Sequence, residues 1–168
     1  MLITPVIRSL TQADAGVVSE LAGTVWRKHY PGIISPEQIE YMLAQRYHPA
    51  LIEAQLASAG IWWNTLTLDE KIIGFSCCLL TNVARELKLD KLYIHHNHQR
   101  RGYGAMLIEE AMKTARENHC TRLVLAANKN NHAAIAAYRH YGFEISGAMM
   151  TDIGNGFVMD DIIMTHTL

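Results

Sequence analysis

The sequence predicts an α+β fold, and three observations carry that prediction. Segments with helical spacing dominate residues 11–59, and segments with strand spacing take over from Gly60. One strand–helix–strand crossover sits in the middle of the chain. Two strands joined by a tight turn close it.

Taken in order, Leu2 to Ser9 reads as a first strand. Thr11 is an N-cap candidate, with Asp14 in the capping-box position. The helix after it carries Val17, Leu21, Val25 and Trp26 on one face. Tyr30-Pro31-Gly32 breaks it. Ser35-Pro36 opens a second helix as N-cap and first-turn proline, and His48-Pro49 ends it. A short third helix spans roughly Ala50 to Ala59. Ile61–Leu68 and Ile72–Thr81 form a hairpin around Asp69-Glu70-Lys71. Glu86 to His95 alternates, placing Leu87, Leu89, Lys91 and Tyr93 on one face and Lys88, Asp90, Leu92 and Ile94 on the other. Gly102–Asn118 is a helix, Arg122–Ala126 a short buried strand, and Asn131–Tyr141 a helix closed by Gly142. Phe143–Thr151 and Phe157–His166 are the last strands, joined at Gly154-Asn155-Gly156.

The 168 residues fit a single domain, 1–168, and 49% of them are apolar, enough for a full core. A formal charge of -1 argues against a nucleic-acid partner, which needs a basic surface. No apolar run is long enough for a membrane span, and residues 1–10 lack a signal-peptide pattern. Cys77, Cys78 and Cys120 are odd in number and suit neither a disulfide framework nor zinc. Reduced thiols in a cytoplasmic protein are expected. His95, His96 and His98 lie close together but match no zinc spacing, so no metal is expected.

The chemistry concentrates at Gln99-Arg100-Arg101-Gly102-Tyr103-Gly104-Ala105, between the Glu86–His95 strand and a helix. A helix start offers unpaired N–H groups and about half a positive charge from its dipole. Gly102 and Gly104 let a phosphate approach the backbone, and the two arginines add donors. The P-loop is excluded because its Lys-Ser/Thr is absent. The dinucleotide fingerprint is excluded because Leu107 stands where a small residue is required.

This segment resembles the Gln/Arg-x-x-Gly-x-Gly/Ala signature of the GNAT superfamily of N-acetyltransferases. The resemblance covers essentially the whole chain. It implies a GNAT-like fold, with a mixed, mostly antiparallel sheet, a splayed parallel strand pair and flanking helices. It implies acetyl-CoA as cosubstrate, its pyrophosphate held by Gln99, Arg100, Arg101, Gly102, Tyr103, Gly104 and Ala105. Its pantetheine arm would run along the backbone of Leu92, Tyr93 and Ile94. A second stretch, from Asn131 through Ala134 and Tyr138 to Gly142-Phe143, resembles the family's other recurrent pattern. Asn131 would cap a helix and, with Ala134, contact the CoA arm.

The resemblance implies Tyr138 as the catalytic acid, since the family uses a tyrosine at this position to serve the leaving sulfur. Aminolysis of a thioester expels a thiolate whose conjugate acid has a pKa of roughly 8.5, and a tyrosine hydroxyl can donate to it. The acceptor must be a primary amine that loses its proton before attack. Lys88 stands where some family members carry a glutamate base, leaving Glu86 and Asp90 as the nearest substitutes. Acceptor sites in such folds lie between the first helices and the last hairpin, so Trp26, Tyr30, Ile33 and Asp160 are expected there. Acidic hairpin residues, Asp161 and Asp152 included, would suit a cationic amine. Direct attack in a ternary complex is the expected mechanism. A non-catalytic acyl-CoA sensor of the same fold is the rival reading. Edge strands in this fold often pair between subunits, which leaves a homodimer open.

Overall fold

The computed structural model describes residues 2–168. Its sheet has seven strands: β1 (Val6–Ser9), β2 (Ile61–Leu68), β3 (Lys71–Leu80), β4 (Glu86–Ile94), β5 (Arg122–Asn128), β6 (Glu144–Gly154) and β7 (Phe157–Thr167). They lie in the order β1-β2-β3-β4-β5-β7-β6. All neighbours are antiparallel except β4 and β5, which are parallel, as a strand–helix–strand crossover requires.

The helices are α1 (Ala15–His29), α2 (Pro36–Arg46), α3 (Pro49–Leu56), α4 (Tyr103–Glu117) and α5 (His132–His140). Helices α1 to α3 bury Val18, Trp26, Ile39 and Ile52 against Trp63, Phe75 and Cys77 on one sheet face. The other face packs under α4 and α5, where Ile108, Ala111 and Ala115 meet Leu87, Leu89 and Leu123. Among the described residues no helix is long and apolar enough to cross a membrane.

Local chemistry explains the element ends. Ser35 Oγ accepts the Gln38 N–H with Pro36 at the first helical position of α2. Asp14 accepts from the Thr11 backbone at 2.8 Å and from Arg8, and a 3-10 turn over Gln12–Asp14 leads into α1. Asn155 and Gly156 both take positive φ, as a two-residue hairpin turn needs.

Three expectations are corrected. The first strand begins only at Val6, because Pro5 has no N–H to give the ladder and Leu2 and Ile3 lie in solvent. Val17 is exposed, and Val18 takes its place on the buried face of α1. The faces of β4 are also not those of strict alternation. Cys77 pairs with Lys91 and Cys78 with Leu89, so Asp90 is an extra residue in a β-bulge. Past the bulge the faces exchange. Leu92 and Ile94 join the α4 side, whereas Tyr93 packs with the α1–α3 cluster and Lys91 lies over the rings of Tyr47 and Trp63.

Candidate active site

The same bulge opens the sheet. Strands β4 and β5 pair only over Glu86–Lys88 and Arg122–Val124. Beyond them the strands part, and β5 continues its pairing with β7. A cleft of about 680 Å³ fills the gap, walled by Leu89–Ile94 on one side and Leu125–Ala127 on the other. The edge of β4 facing it therefore has unpaired backbone groups, which a ligand can satisfy.

The cleft runs to the start of α4. His98, Gln99, Arg100, Gly102, Tyr103 and Gly104 line it there. Gln99 Nε2 donates to Ile94 O at 3.0 Å and ties the loop to the end of β4. Arg100 and Gly102 both take left-handed conformations, at φ 62° and 82°. Such a conformation costs a non-glycine residue about 1–2 kcal/mol and tends to be kept where the site uses it. A Cβ on Gly104 would meet no protein atom within 4 Å, so its backbone lies open to the cleft. Arg101 and Ala105 do not line the cleft, and Arg101 points into solvent.

The opposite wall comes from α5. Asn131 is buried and accepts from Ala134 N at 3.4 Å, capping the helix, and its Oδ1 lies 3.0 Å from His29 Nε2. Ala133, Ala134, Ala136 and Ala137 present a small-residue surface to the cleft. Tyr138 follows on that wall, its ring edge-on to Phe143 with centroids 5.6 Å apart. Burial pushes its hydroxyl pKa above the ordinary tyrosine value.

A second, smaller cavity of about 70 Å³ adjoins the cleft and shares Tyr30, Asp90, Tyr93, Ala126 and Ala127 with it. Trp26 from α1, Ile34 from the segment after it, Gln38, Met42 and Arg46 from α2, and Met159 and Asp161 from β7 close it. The Tyr30 and Tyr93 hydroxyls are hydrogen-bonded at 2.8 Å on its wall.

The two aspartates of this cavity differ. Asp90 contacts Lys91 at 2.5 Å and both Arg46 and Lys88 at 3.3 Å. Although burial opposes it, these cations hold its carboxyl well below the usual range. Asp161 is only 5% exposed, and although its backbone lies in the β7 ladder, its carboxylate has no hydrogen-bond or ion-pair partner among the described residues. Burial raises its pKa, Asp160 adds to the rise, and Arg46 and Lys88 oppose it.

Several expected site residues lie elsewhere. Glu86 lines neither cavity. It sits at the paired end of β4, bonded to Arg122 at 2.7 Å and to Thr81 at 2.8 Å. Asp90 does line the site, but a carboxylate stabilised by three cations is a poor proton acceptor. Ile33 packs into the core, and its neighbour Ile34 lines the cavity. Asp160 pairs with Lys129, because alternation on β7 turns Met159 and Asp161 inward and Asp160 away. Trp26 and Tyr30 line the small cavity.

Arg46 had not been singled out. Its signal was present, since Ile39, Met42, Leu43 and Arg46 share the buried stripe of α2. An arginine on such a stripe marks a buried polar function.

A splayed parallel pair beside a glycine-bearing helix start defines an acyl-CoA-binding fold, and comparison with known proteins agrees. Residues 24–143 match the Acetyltransferase (GNAT) family. The chain is 26% identical over 158 residues to the spermidine N(1)-acetyltransferase of Thermoplasma acidophilum, covering 92% of this chain and 94% of that one. Among solved structures, the PaiA N-acetyltransferase of T. acidophilum in complex with coenzyme A superposes with a TM-score of 0.86 at 23% identity, over 98% and 99% of the two chains. A GCN5-related N-acetyltransferase of Rhodopseudomonas palustris gives 0.80 at 25% identity, over 100% and 99%. The chain belongs to the GNAT family of N-acetyltransferases. It is an acyltransferase, and its donor is acetyl-CoA.

Proposed function

We propose that this chain transfers the acetyl group of acetyl-CoA to a primary amine by direct attack in a ternary complex, with Asp161 as proton acceptor and Tyr138 as donor to the departing sulfur. One observation carries the reading. The small cavity holding the unpartnered, buried Asp161 opens onto the cleft that Tyr138 lines.

Each residue has a role its surroundings support. The helix start at Gln99, Arg100, Gly102, Tyr103 and Gly104 offers N–H groups to a pyrophosphate. Leu92, Tyr93 and Ile94 offer the unpaired edge of β4 to the pantetheine amides, and an N–H there can polarise the acetyl carbonyl. Acetyl-CoA supplies the acetyl group and a thiolate as leaving group. Tyr138 is protonated at neutral pH even at the ordinary tyrosine pKa of about 10, and burial raises its pKa further. Transfer of its proton to a thiolate of lower basicity would be uphill, so it serves first as a hydrogen-bond donor. Asp161 has the opposite requirement. Its raised pKa makes it a better base than an ordinary carboxylate.

A covalent acetyl-enzyme has no support. Cys77 and Cys78 are buried in β3, and burial pushes the Cys77 thiol up to about 12 and Cys78 higher.

The name of the Thermoplasma relative makes a polyamine the first acceptor to test. Release of CoA thiol, followed with acetyl-CoA and a panel of amines, separates this reading from that of an acyl-CoA sensor. Steady amine-dependent release supports the enzyme. Tight acetyl-CoA binding with no release for any amine supports the sensor.

A further inference from the structure

We infer that the acceptor carries a carboxylate beside its amine, the carboxylate held by Arg46 and Lys88 and the amine directed to Asp161. This rests on the acetyltransfer reading of the same cavity and names its substrate class: a small amino acid or ω-amino acid, as opposed to a polyamine.

The cavity wall offers a ligand both signs of charge. Arg46, Lys88 and Lys91 all converge on the one carboxylate of Asp90. Of these cations Arg46 and Lys88 line the cavity, together with Asp90 and Asp161, and Lys91 is buried outside its lining. Two cations and two anions therefore face the ligand, in a site where neighbouring side chains screen them poorly. A polyamine answers only the anions and sets its own positive charge against Arg46 and Lys88. A ligand with a carboxylate beside its amine answers both.

The donors are also partly unused. Lys91 is 4% exposed and committed to Asp90 and to the Tyr47 and Trp63 rings. Arg46 and Lys88 are different, with side chains 24% and 33% exposed. Of the guanidinium nitrogens of Arg46, only one Nη bonds within the described residues, and both of its bonds are long, at 3.3 and 3.4 Å to Asp90. The remaining nitrogens form a fork that fits a planar carboxylate. Lys88 Nζ has a single contact, Asp90 at 3.3 Å, and can serve as a second donor.

Size points the same way. A cavity of about 70 Å³ takes a few heavy atoms, so amine and carboxylate must be joined by a short spacer or lie partly in the adjoining cleft.

The test is calorimetric binding to the CoA-saturated protein, using ligand pairs that differ only by the carboxylate: L-alanine and ethylamine, L-ornithine and putrescine, 5-aminopentanoate and butylamine. Spermidine is added as the polyamine. The acid of at least one pair should bind about ten-fold or more tightly than its decarboxylated partner, the scale of one charge-assisted hydrogen bond. That ratio should collapse towards one in Arg46→Gln and in Lys88→Gln. Lys88 is the more exposed of the two, so its variant keeps the test readable if Arg46→Gln fails to fold. Tighter binding of spermidine and the plain amines in the wild type would overturn the inference, as would a ratio that survives both substitutions. The acetyltransfer reading is judged separately, by CoA-thiol release. A carboxylate preference without release would remove the enzyme reading and leave the anion site standing.

Discussion

Replacing Asp161 with Asn should lower kcat/KM by about a hundred- to a thousand-fold, within the usual contribution of a general base. At about 1.4 kcal/mol per decade this is roughly 3–4 kcal/mol of barrier. The structure sets the form of the loss. Asp161 is buried and unpartnered, and its pKa lies above the ordinary carboxylate value. A base works deprotonated, so the wild-type rate should fall as pH drops through that raised pKa. The variant should lack this acidic limb. The assay is CoA-thiol release with the best amine of the panel, from about pH 5 to about pH 9.

The same substitution should act on stability with the opposite sign. A carboxyl whose folded pKa is raised binds more protons in the folded than in the unfolded state between the two values. Stability therefore falls as pH rises from the ordinary value of about 3.9 through the raised one, and the cost persists above it. Asn removes that cost, so Asp161→Asn should raise the urea midpoint at neutral pH. A variant with wild-type kcat/KM at every pH would refute the base assignment. A variant that is slow but retains the acidic limb would show that Asp161 orients the amine without taking its proton.

Asp90→Asn should behave in the reverse way, destabilising the fold by about 3–5 kcal/mol in urea melts, because it leaves the buried Lys91 without its anion. Asp90 has a lowered pKa, so its contribution is present above the unfolded value and lost as pH falls towards the folded one; the variant should lack that part of the acid sensitivity. Tyr138→Phe should reduce kcat by about ten-fold or more while leaving the calorimetric CoA affinity within about two-fold, since the hydroxyl serves the leaving sulfur and not the ground state. Gly102→Glu should abolish acetyl-CoA binding, because it places a carboxylate at the helix start and forces a side chain onto a backbone at φ 82°; wild-type affinity in a folded variant would remove the phosphate site.

The order of elements and the glycine-bearing turn before α4 were legible because both rest on local chemistry. Ser35-Pro36 and Gly102 act where they stand in the sequence, and the hairpin turn at Gly154-Asn155-Gly156 needs only its own φ values. The acceptor side was less legible, because it depends on parity. One extra residue at Asp90 moves Leu92 and Ile94 to the other face of β4, and nothing in the alternation of Glu86–His95 announces the bulge. A shift of one residue likewise separates Asp160, paired on the surface, from Asp161, buried in the cavity. The unpaired state of Asp161 and the crowding of cations on Asp90 arise from α2, β4 and β7 meeting in space. Arg46 alone carried a sequence signal, as a charge on a buried helical stripe.

A diffraction structure of the protein with CoA tests the central claim most directly. The account predicts the pyrophosphate at the N–H groups of Gly102–Gly104, the pantetheine amides paired with the open edge of β4 at Leu92–Ile94, and the sulfur within hydrogen-bond reach of the Tyr138 hydroxyl, facing the cavity of Asp161. A CoA that leaves the gap between β4 and β5 empty, or that places its sulfur away from Tyr138, would contradict it.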